Sequence, residues 1–169
     1  MSPSSKKADP RERELGEVLE FMRLLWALDH ALQSCSKRMR RELGLTGPQR
    51  LTVRLVGRFP GIAARDLAAL LRLDPSTLTG ILQRLEAQGL LRRHADPADA
   101  RRARFTLTVR GRKADVPTPG TVEAAMRRAL VRVPKRRLDA ARSVLTALVG
   151  ELEGDEREPS VRASRRRSS

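Results

Sequence analysis

The sequence predicts a mainly α-helical protein with one small β-hairpin, an α+β fold. Three features of the 169-residue chain predict this fold. A long N-terminal segment carries apolar residues at helical spacings, which is typical of an amphipathic helix. Two short helical segments follow it and are joined by about three residues. A run of alternating apolar and polar residues comes next and indicates a half-buried strand.

The first helix is predicted within residues 11–45 and ends near Gly44, because glycine commonly terminates helices. Its length of about 30 residues is well above that of the usual globular helix. Such a helix extends past the core of so small a chain, so we expect a second copy of the chain to cover its apolar stripe. Residues 1–10 lack periodicity and are predicted to be a disordered arm. The stripe consists of Val18, Phe21, Met22, Leu25, Leu28, Leu32, Cys35 and Met39.

A second block, residues 46–113, begins with a capping box. Thr46 is its N-cap, and Gln49 stands three residues later. The short helix that starts there should stop at the Phe-Pro-Gly run of residues 59–61. A second short helix, rich in Ala and Leu, is predicted over residues 63–71.

The third helix of this block covers residues 76–88, with Asp74 as its N-cap and Pro75 at its first position. Pro75 is favourable there because the first N–H groups of a helix have no helical partner. Gly89 ends this helix. Two helices joined by about three residues, the second of them well capped, form a helix-turn-helix. Its buried side is predicted to consist of Leu78, Ile81, Leu82 and Leu85.

A β-hairpin is predicted after the helix-turn-helix. Residues 90–94 form its first strand, residues 95–100 a polar loop and residues 104–109 its second strand. Eight basic and two acidic residues between Arg92 and Lys113 give this region a net charge of +6. A basic hairpin beside such a helix is a wing, which suits contact with phosphates or with the minor groove of DNA.

The C-terminal part is predicted to be helical again after a break. The Val-Pro-Thr-Pro-Gly run of residues 116–120 cannot continue a helix. Residues 121–153 then show two apolar stripes, which we interpret as dimerisation helices, and residues 154–169 are predicted to be a disordered basic tail. The stripes hold Val122, Ala125, Met126, Ala129, Leu130 and Val133, and then Leu138, Ala141, Leu145, Leu148, Val149 and Leu152.

The net charge points to a polyanionic partner. Thirty-five Lys and Arg residues against 20 Asp and Glu residues leave +15. Because neutralised phosphates release condensed counterions, this excess favours a polyanion, and the helix-turn-helix with its wing makes double-stranded DNA the expected partner. A coding bias toward arginine is the alternative source of the total charge, but it does not account for the clustering in the wing.

Three stretches carry a resemblance to a known family. Residues 73–93 read LDPSTLTGILQRLEAQGLLRR, residues 96–102 read DPADARR, and residues 107–111 read LTVRG. They are similar to the recognition helix, the wing motif and the wing-closing run of the MarR (multiple-antibiotic-resistance regulator) family, whose members are winged helix-turn-helix regulators. The resemblance spans roughly residues 15–153. It implies a homodimer with interlocking first and last helices, a repressor of a palindromic operator, and release by a small effector. The family often has an unbroken helix where this chain has its 117–120 break.

The resemblance also implies which residues would contact DNA. Gln83 and Arg84 on the recognition helix have the reach to read base edges. Arg101 would enter the minor groove, whose negative potential attracts a guanidinium, and Asp99 would hold Arg101 or a neighbouring arginine. For each residue taken singly, the alternative is a solvated surface side chain. The predicted DNA-binding set is Ser76, Thr77, Thr79, Gln83, Arg84, Asp99, Arg101 and Arg102.

Trp26 and His30 on the first helix are candidates for contact with a small aromatic effector, since they can share a helix face. In the family, phenolic acids bind where the first helix meets the winged lobe. Packing of Trp26 at the dimer interface is the alternative interpretation. Cys35 lies on the apolar stripe and is interpreted as a small buried hydrophobe. A peroxide-sensing branch of the family uses a first-helix cysteine with tyrosines, and this chain has no Tyr.

The sequence argues against an enzyme. With two His, one Cys and no Tyr, it offers few groups for acid–base chemistry, and it has neither a GxSxG nor a GxxxxGK run. No Cys or His pair stands at metal-ligand spacing, so neither a metal nor a cofactor is predicted.

We expect a cytoplasmic protein associated with the nucleoid, because no secretory signal and no apolar run of about 18 residues is present and the expected partner is DNA. The alternative function is a nucleoid-associated protein that coats DNA with little sequence preference.

Overall fold

The computed structural model describes residues 16–97 and 99–155. Over these ranges the chain is mostly helical with one small antiparallel sheet, which confirms the predicted α+β fold class. The disordered arm predicted at residues 1–10 lies outside the described residues, as do residues 156–169 of the predicted tail. In chain order the elements are α1 (Gly16–Leu43), α2 (Gly47–Arg58), β1 (Ile62–Ala63), α3 (Ala64–Leu71), α4 (Pro75–Ala87), β2 (Leu91–Asp96), β3 (Asp99–Leu107), α5 (Val109–Ala114), α6 (Val122–Leu130) and α7 (Lys135–Asp155).

The chain divides into two compact units, with the boundary between Ala124 and Ala125. The first unit holds α1 to α5, the sheet and the first turn of α6, and the second holds the rest of α6 and α7. Among residues 16–97 and 99–155, no helix is long and apolar enough to span a bilayer.

The core of the first unit lies where α2, α3 and α4 pack against the hairpin. The four α4 positions predicted as its buried side all belong to this core. Since α4 buries one side here, its opposite side faces outward. The buried apolar residues of the cluster are Leu45, Val53, Val56, Leu67, Leu78, Ile81, Leu82, Leu85, Leu90, Leu91 and Phe105.

One of the two predicted helix caps forms a side-chain hydrogen bond. The capping box of Thr46 and Gln49 is confirmed: the Thr46 N–H donates to Gln49 Oε1 at 2.9 Å, and the Gln49 N–H donates to Thr46 Oγ1 at 3.4 Å. Asp74 occupies the N-cap position of α4, but its carboxylate accepts no capping hydrogen bond. Pro75 at the first position of α4 fixes φ for the helix without that bond.

The hairpin is longer than predicted. Residues 95–100 are not a polar loop, since β2 runs to Asp96 and β3 begins at Asp99. The second strand ends at Leu107, because Thr108 is the N-cap of α5. The two-residue strand β1 joins the hairpin and gives the order β1-β3-β2, all antiparallel. A strand as short as β1 cannot be predicted from sequence, because two residues are too few to show an alternation of apolar and polar side chains.

Thr108 and Gly111 close the wing onto the end of α4. The Thr108 hydroxyl donates to the Gly89 carbonyl at 2.6 Å and accepts from the Gly111 N–H at 2.9 Å. The Thr108 N–H donates to the Leu90 carbonyl at 3.1 Å. A Cβ at position 111 would clash with that same carbonyl oxygen, so only glycine fits. These contacts explain the Leu-Thr-x-x-Gly pattern of residues 107–111 physically.

The chain is not helical between α5 and α6, which confirms the predicted interruption at residues 116–120. Arg50 of α2 binds this non-helical segment. Arg50 is only 3% exposed. Its guanidinium donates to the carbonyl of Ala114 and, at 2.6 Å, to that of Val116. It also pairs with the Glu123 carboxylate at 2.6 Å. A buried cation thus ties the non-helical segment and the first turn of α6 to the core.

The pKa of Glu123 is lowered in the folded protein. Burial raises this pKa, but hydrogen bonds from Arg50, from its own backbone and from Thr121, together with the charge of Arg50, lower it by more. The folded state therefore favours the ionised carboxylate more than the unfolded state does. Ionised Glu123 consequently contributes stability at neutral pH.

Replacing Glu123 with Gln should lower the free energy of unfolding by about 1–3 kcal/mol at neutral pH, because Arg50 loses its charged acceptor. The folded pKa lies below the ordinary value of 4.5. The wild type therefore has the higher free energy of unfolding above that pH, and this difference from Glu123→Gln disappears as the pH falls through the folded pKa. Urea unfolding at one protein concentration, from neutral pH to about pH 3, measures this difference.

Glu151→Gln is the matched control, because Glu151 is an exposed carboxylate of α7. It should leave stability unchanged within about 0.5 kcal/mol. A deficit of Glu123→Gln that stays constant across the pH range would contradict the linkage.

Candidate nucleic-acid interface

The outer side of α4 carries exposed polar side chains. Its inner side is formed by Leu78, Ile81, Leu82 and Leu85, all of which are buried. The five positions predicted to contact DNA from this helix all lie on the exposed side. Their contact with DNA itself stays a prediction. They are Ser76, Thr77, Thr79, Gln83 and Arg84.

Thr79 has its hydroxyl hydrogen engaged within the helix. The hydroxyl donates to the Pro75 carbonyl at 2.7 Å, four residues earlier. A partner can then use only the γ-methyl group and the remaining oxygen lone pairs of Thr79. In a major groove, these groups match a thymine methyl or the amino group of adenine or cytosine.

The wing carries a bulge at its tip. The register passes from Ala95 opposite Ala103 to Asp96 opposite Asp99, so residues 100–102 form the extra length of β3. The backbone of Arg101 lies in this bulge, whereas its side chain lies outside the described part of the structure.

Asp99 pairs with Arg102, one of the neighbouring arginines that the sequence left open. Arg102 Nε lies 3.2 Å from Asp99 Oδ2, with the two side chains 60% and 40% exposed. An ion pair this exposed contributes about 0–1 kcal/mol, so it positions the arginine more than it stabilises the fold.

A second ion pair joins β2 to β3 near the tip of the wing, and the sequence did not predict it. Arg104 Nε lies 2.8 Å from Asp96 Oδ2, and the Asp96 side chain is only 6% exposed. Arg104 also donates to the Gly61 carbonyl at 3.3 Å, beside β1. Asp96 and Arg104 thus join β2 to β3, and Arg104 also contacts the residue before β1. Finding this pair from sequence requires the hairpin register, which a predicted loop over residues 95–100 obscures.

The outward surface of the hairpin is basic. Arg92, Arg93 and Arg102 are exposed, whereas Asp96 is buried against Arg104. The wing therefore presents cations to solvent beside the exposed side of α4, as a phosphate-contacting surface requires.

The candidate effector residues lie on α1, a different element from α4 and the wing. Trp26 is 65% exposed and His30 is exposed as well. Both interpretations of Trp26, as a pocket wall or as dimer packing, therefore need a second surface to cover it. In the described part of the chain, no group of three or more His, Cys, Asp or Glu could hold a metal ion.

Cys35 is half-buried on α1, so its interpretation as a buried hydrophobe holds only in part. Its Sγ donates to the Gly120 carbonyl at 3.6 Å, and a guanidinium nitrogen of Arg38 lies 3.6 Å from the sulfur.

Comparisons with known proteins agree with this architecture. The model of the MarR family matches residues 43–102, from the end of α1 to the bulge of the wing. An organic hydroperoxide resistance transcriptional regulator of Bacillus subtilis is 31% identical over 102 residues, which cover 59% of this chain and 69% of that protein. An HTH-type transcriptional repressor of Mycobacterium tuberculosis is 33% identical over 91 residues, 54% of this chain and 66% of that protein. The chain thus spans just under two thirds of this second relative.

A solved structure shares the fold. The S. aureus MepR–DNA complex has a TM-score of 0.65 to this chain at 19% identity, covering 78% of this chain and 97% of that one. The two relatives above carry the names of transcriptional regulators and not of enzymes, which confirms the prediction of a regulator.

Replacing Asp96 with Ala should loosen the wing, because Arg104 loses its buried carboxylate partner. We expect a loss of about 1–3 kcal/mol in unfolding free energy. Backbone amides of β2 and β3 should exchange with solvent at least about tenfold faster, while those of α4 change little. Hydrogen exchange read by mass spectrometry measures both regions.

Asp99→Ala is the control, since it removes a carboxylate from an exposed ion pair of the same hairpin. It should cost at most about 1 kcal/mol. Equal exchange rates in the two variants would show that Asp96 does not hold the wing.

Proposed function

Since this chain belongs to the MarR family of transcriptional regulators, we propose that it binds double-stranded DNA as a homodimer and represses transcription from a palindromic operator. One feature supports DNA binding most directly. The exposed polar side of α4 leads through the turn at Gly89 into a wing whose outward surface is basic. A helix of this kind fits the major groove, and a basic wing fits the adjacent backbone or minor groove. MepR, which shares the fold, was crystallised as a DNA complex.

Sequence readout is assigned to α4. Arg84 can donate two hydrogen bonds to guanine, and Gln83 can pair with adenine. Thr79 offers its methyl group and an acceptor, as described above. Such contacts discriminate between bases, whereas phosphate contacts do not. The nucleoid-protein alternative predicts no such discrimination.

In this proposal the wing recognises the shape and charge of the DNA. Arg101, on the bulge, would enter the minor groove, and Asp99 with Arg102 would set the charge beside it. Ser76 and Thr77, at the first turn of α4, would contact phosphates together with the backbone of that turn.

The apolar surface of α1 supports a homodimer. Val18 is 73% exposed, and Phe21, Met22 and Trp26 are exposed with it. Apolar residues of α7, among them Leu145 and Leu152, are exposed in the single chain as well. Exposed apolar residues concentrated on one helix mark an interaction site, and a two-fold partner would bury those of each helix.

We include effector release in the proposal. In the proposed dimer, the distance between the two DNA-binding lobes can differ between two states. A small aromatic molecule beside Trp26 and His30 would relieve repression by binding one of these states more tightly than the other. Since both side chains are exposed in the single chain, the partner chain would have to complete the pocket.

Arg84→Ala and Arg101→Ala should impair DNA binding in different ways. Against a duplex selected by the wild type from a randomised pool, Arg84→Ala should lose roughly 1–3 kcal/mol and lose much less on a scrambled duplex. Arg101→Ala should weaken both duplexes and flatten the slope of log affinity against log salt by about one unit. Fluorescence anisotropy at three salt concentrations measures all four cases.

Arg142→Ala removes the same charge from the second compact unit and is the control. Wild-type affinity and salt slope in Arg101→Ala would show that the hairpin does not contact DNA. Equal wild-type affinity for selected and scrambled duplexes would favour the nucleoid-protein alternative.

Leu145→Glu combined with Leu148→Glu should give a monomer or an unfolded chain, because both charges enter the apolar side of α7. Sedimentation velocity at micromolar concentration, with circular dichroism, measures assembly and folding. Ser143→Glu combined with Ala147→Glu, on the exposed side of α7 opposite the apolar stripe, should stay dimeric. A wild type that sediments as a folded monomer would refute the dimer.

A further inference from the structure

Gly80 occupies the middle of the outward side of α4. At about 100° per residue, position 80 lies about 150° around the helix from the centre of its buried side. Thr79 stands beside it, and Gln83 and Arg84 lie one turn later. Gly80 is therefore at the centre of the surface that the proposed function assigns to the major groove.

Within residues 16–97 and 99–155, no contact requires glycine at this position. A Cβ built on Gly80 meets no described atom within 4 Å, and its φ is not positive. By contrast, a Cβ at Gly57 would clash with the Asp115 carboxylate, and one at Gly111 with the Leu90 carbonyl. Glycine in a helix interior is also less stable than alanine, because it loses more backbone entropy on folding. The fold would tolerate or favour alanine at position 80.

We propose that Gly80 is a specificity-determining position: its bare backbone lets α4 approach the base edges of the major groove closely. This inference rests on the proposed DNA-binding function. In proteins generally, glycine is found where the backbone must come close to a ligand. A methyl group at the centre of the contact surface holds the helix axis away from the bases. The side chains of Gln83 and Arg84 then lose the geometry that two-point hydrogen bonding to a base needs.

The proposal predicts that stability and DNA affinity change in opposite directions. Gly80→Ala should stabilise the protein, since the helix gains a better helix former without a clash. The same substitution should weaken the base-specific part of binding. If Gly80 had a purely structural role, its replacement would lower both the stability of the protein and its affinity for DNA.

The test compares Gly80→Ala with Gly150→Ala. Gly150 is a helical glycine of α7 at which a Cβ likewise meets none of the described atoms within 4 Å. Thermal unfolding should show a raised Tm in both variants. On the duplex selected by the wild type from a randomised pool, the Kd of Gly80→Ala should rise roughly tenfold, the scale of one lost base contact. On a scrambled duplex it should change less than about twofold, and Gly150→Ala should bind both duplexes like the wild type.

Each other result overturns the proposal. If Gly80→Ala binds the selected duplex as tightly as the wild type or more tightly, no close approach occurs at this position. If its affinity falls equally on both duplexes, Gly80 does not determine specificity. If its Tm falls, the glycine is structural. A wild type that binds no duplex refutes the proposed function itself and the inference with it, and this result is seen before any variant is made.

Discussion

The candidate DNA-binding surface depends on one constraint, the burial of a single side of α4 in the core that α2 and the hairpin share. Leu78 and Leu85 are essentially removed from solvent there, next to Val53 and Phe105. An apolar side chain buried to this degree contributes about 1.5–3 kcal/mol, so rotation of α4 about its axis would expose several such groups at once. The core therefore fixes which residues of α4 face outward, although the core residues are themselves buried.

Polar contacts then set the hairpin and the connector relative to this core. The pair of Asp96 and Arg104 is directional, and its carboxylate is buried while its guanidinium is nearly half exposed. It links β2 to β3, which bury few apolar residues of their own. Arg50 does the same for the non-helical segment after α5. Buried ionic groups are costly to leave unpaired, so each defines one arrangement of its neighbours. In contrast, the exposed pair of Asp99 and Arg102 leaves its arginine in contact with solvent, where the proposed DNA partner would meet it.

Sequence patterns predicted the elements whose signals are local. The capping box at Thr46, the buried side of α4, the break at residues 116–120 and the order from helix-turn-helix to wing all follow from spacing and residue type over a few positions. Arg50 was missed, although it stands three residues before the buried Val53 and therefore on the inner side of α2. A charged residue at such a position signals a buried ion pair, but its partner, Glu123, is 73 positions away in the chain.

The sequence by itself determined the fold class, the family resemblance and the polar outer side of α4, because helical periodicity and capping are encoded within single elements. Only the tertiary structure decided the register of the hairpin, since the pairing of Ala95 with Ala103 depends on backbone hydrogen bonds between strands. It also decided the different roles of the glycines. Gly111 and Gly80 look alike in sequence, yet one faces the Leu90 carbonyl and the other faces open space. Which atoms surround a residue is a property of the folded chain, and local spacing carries no information about it.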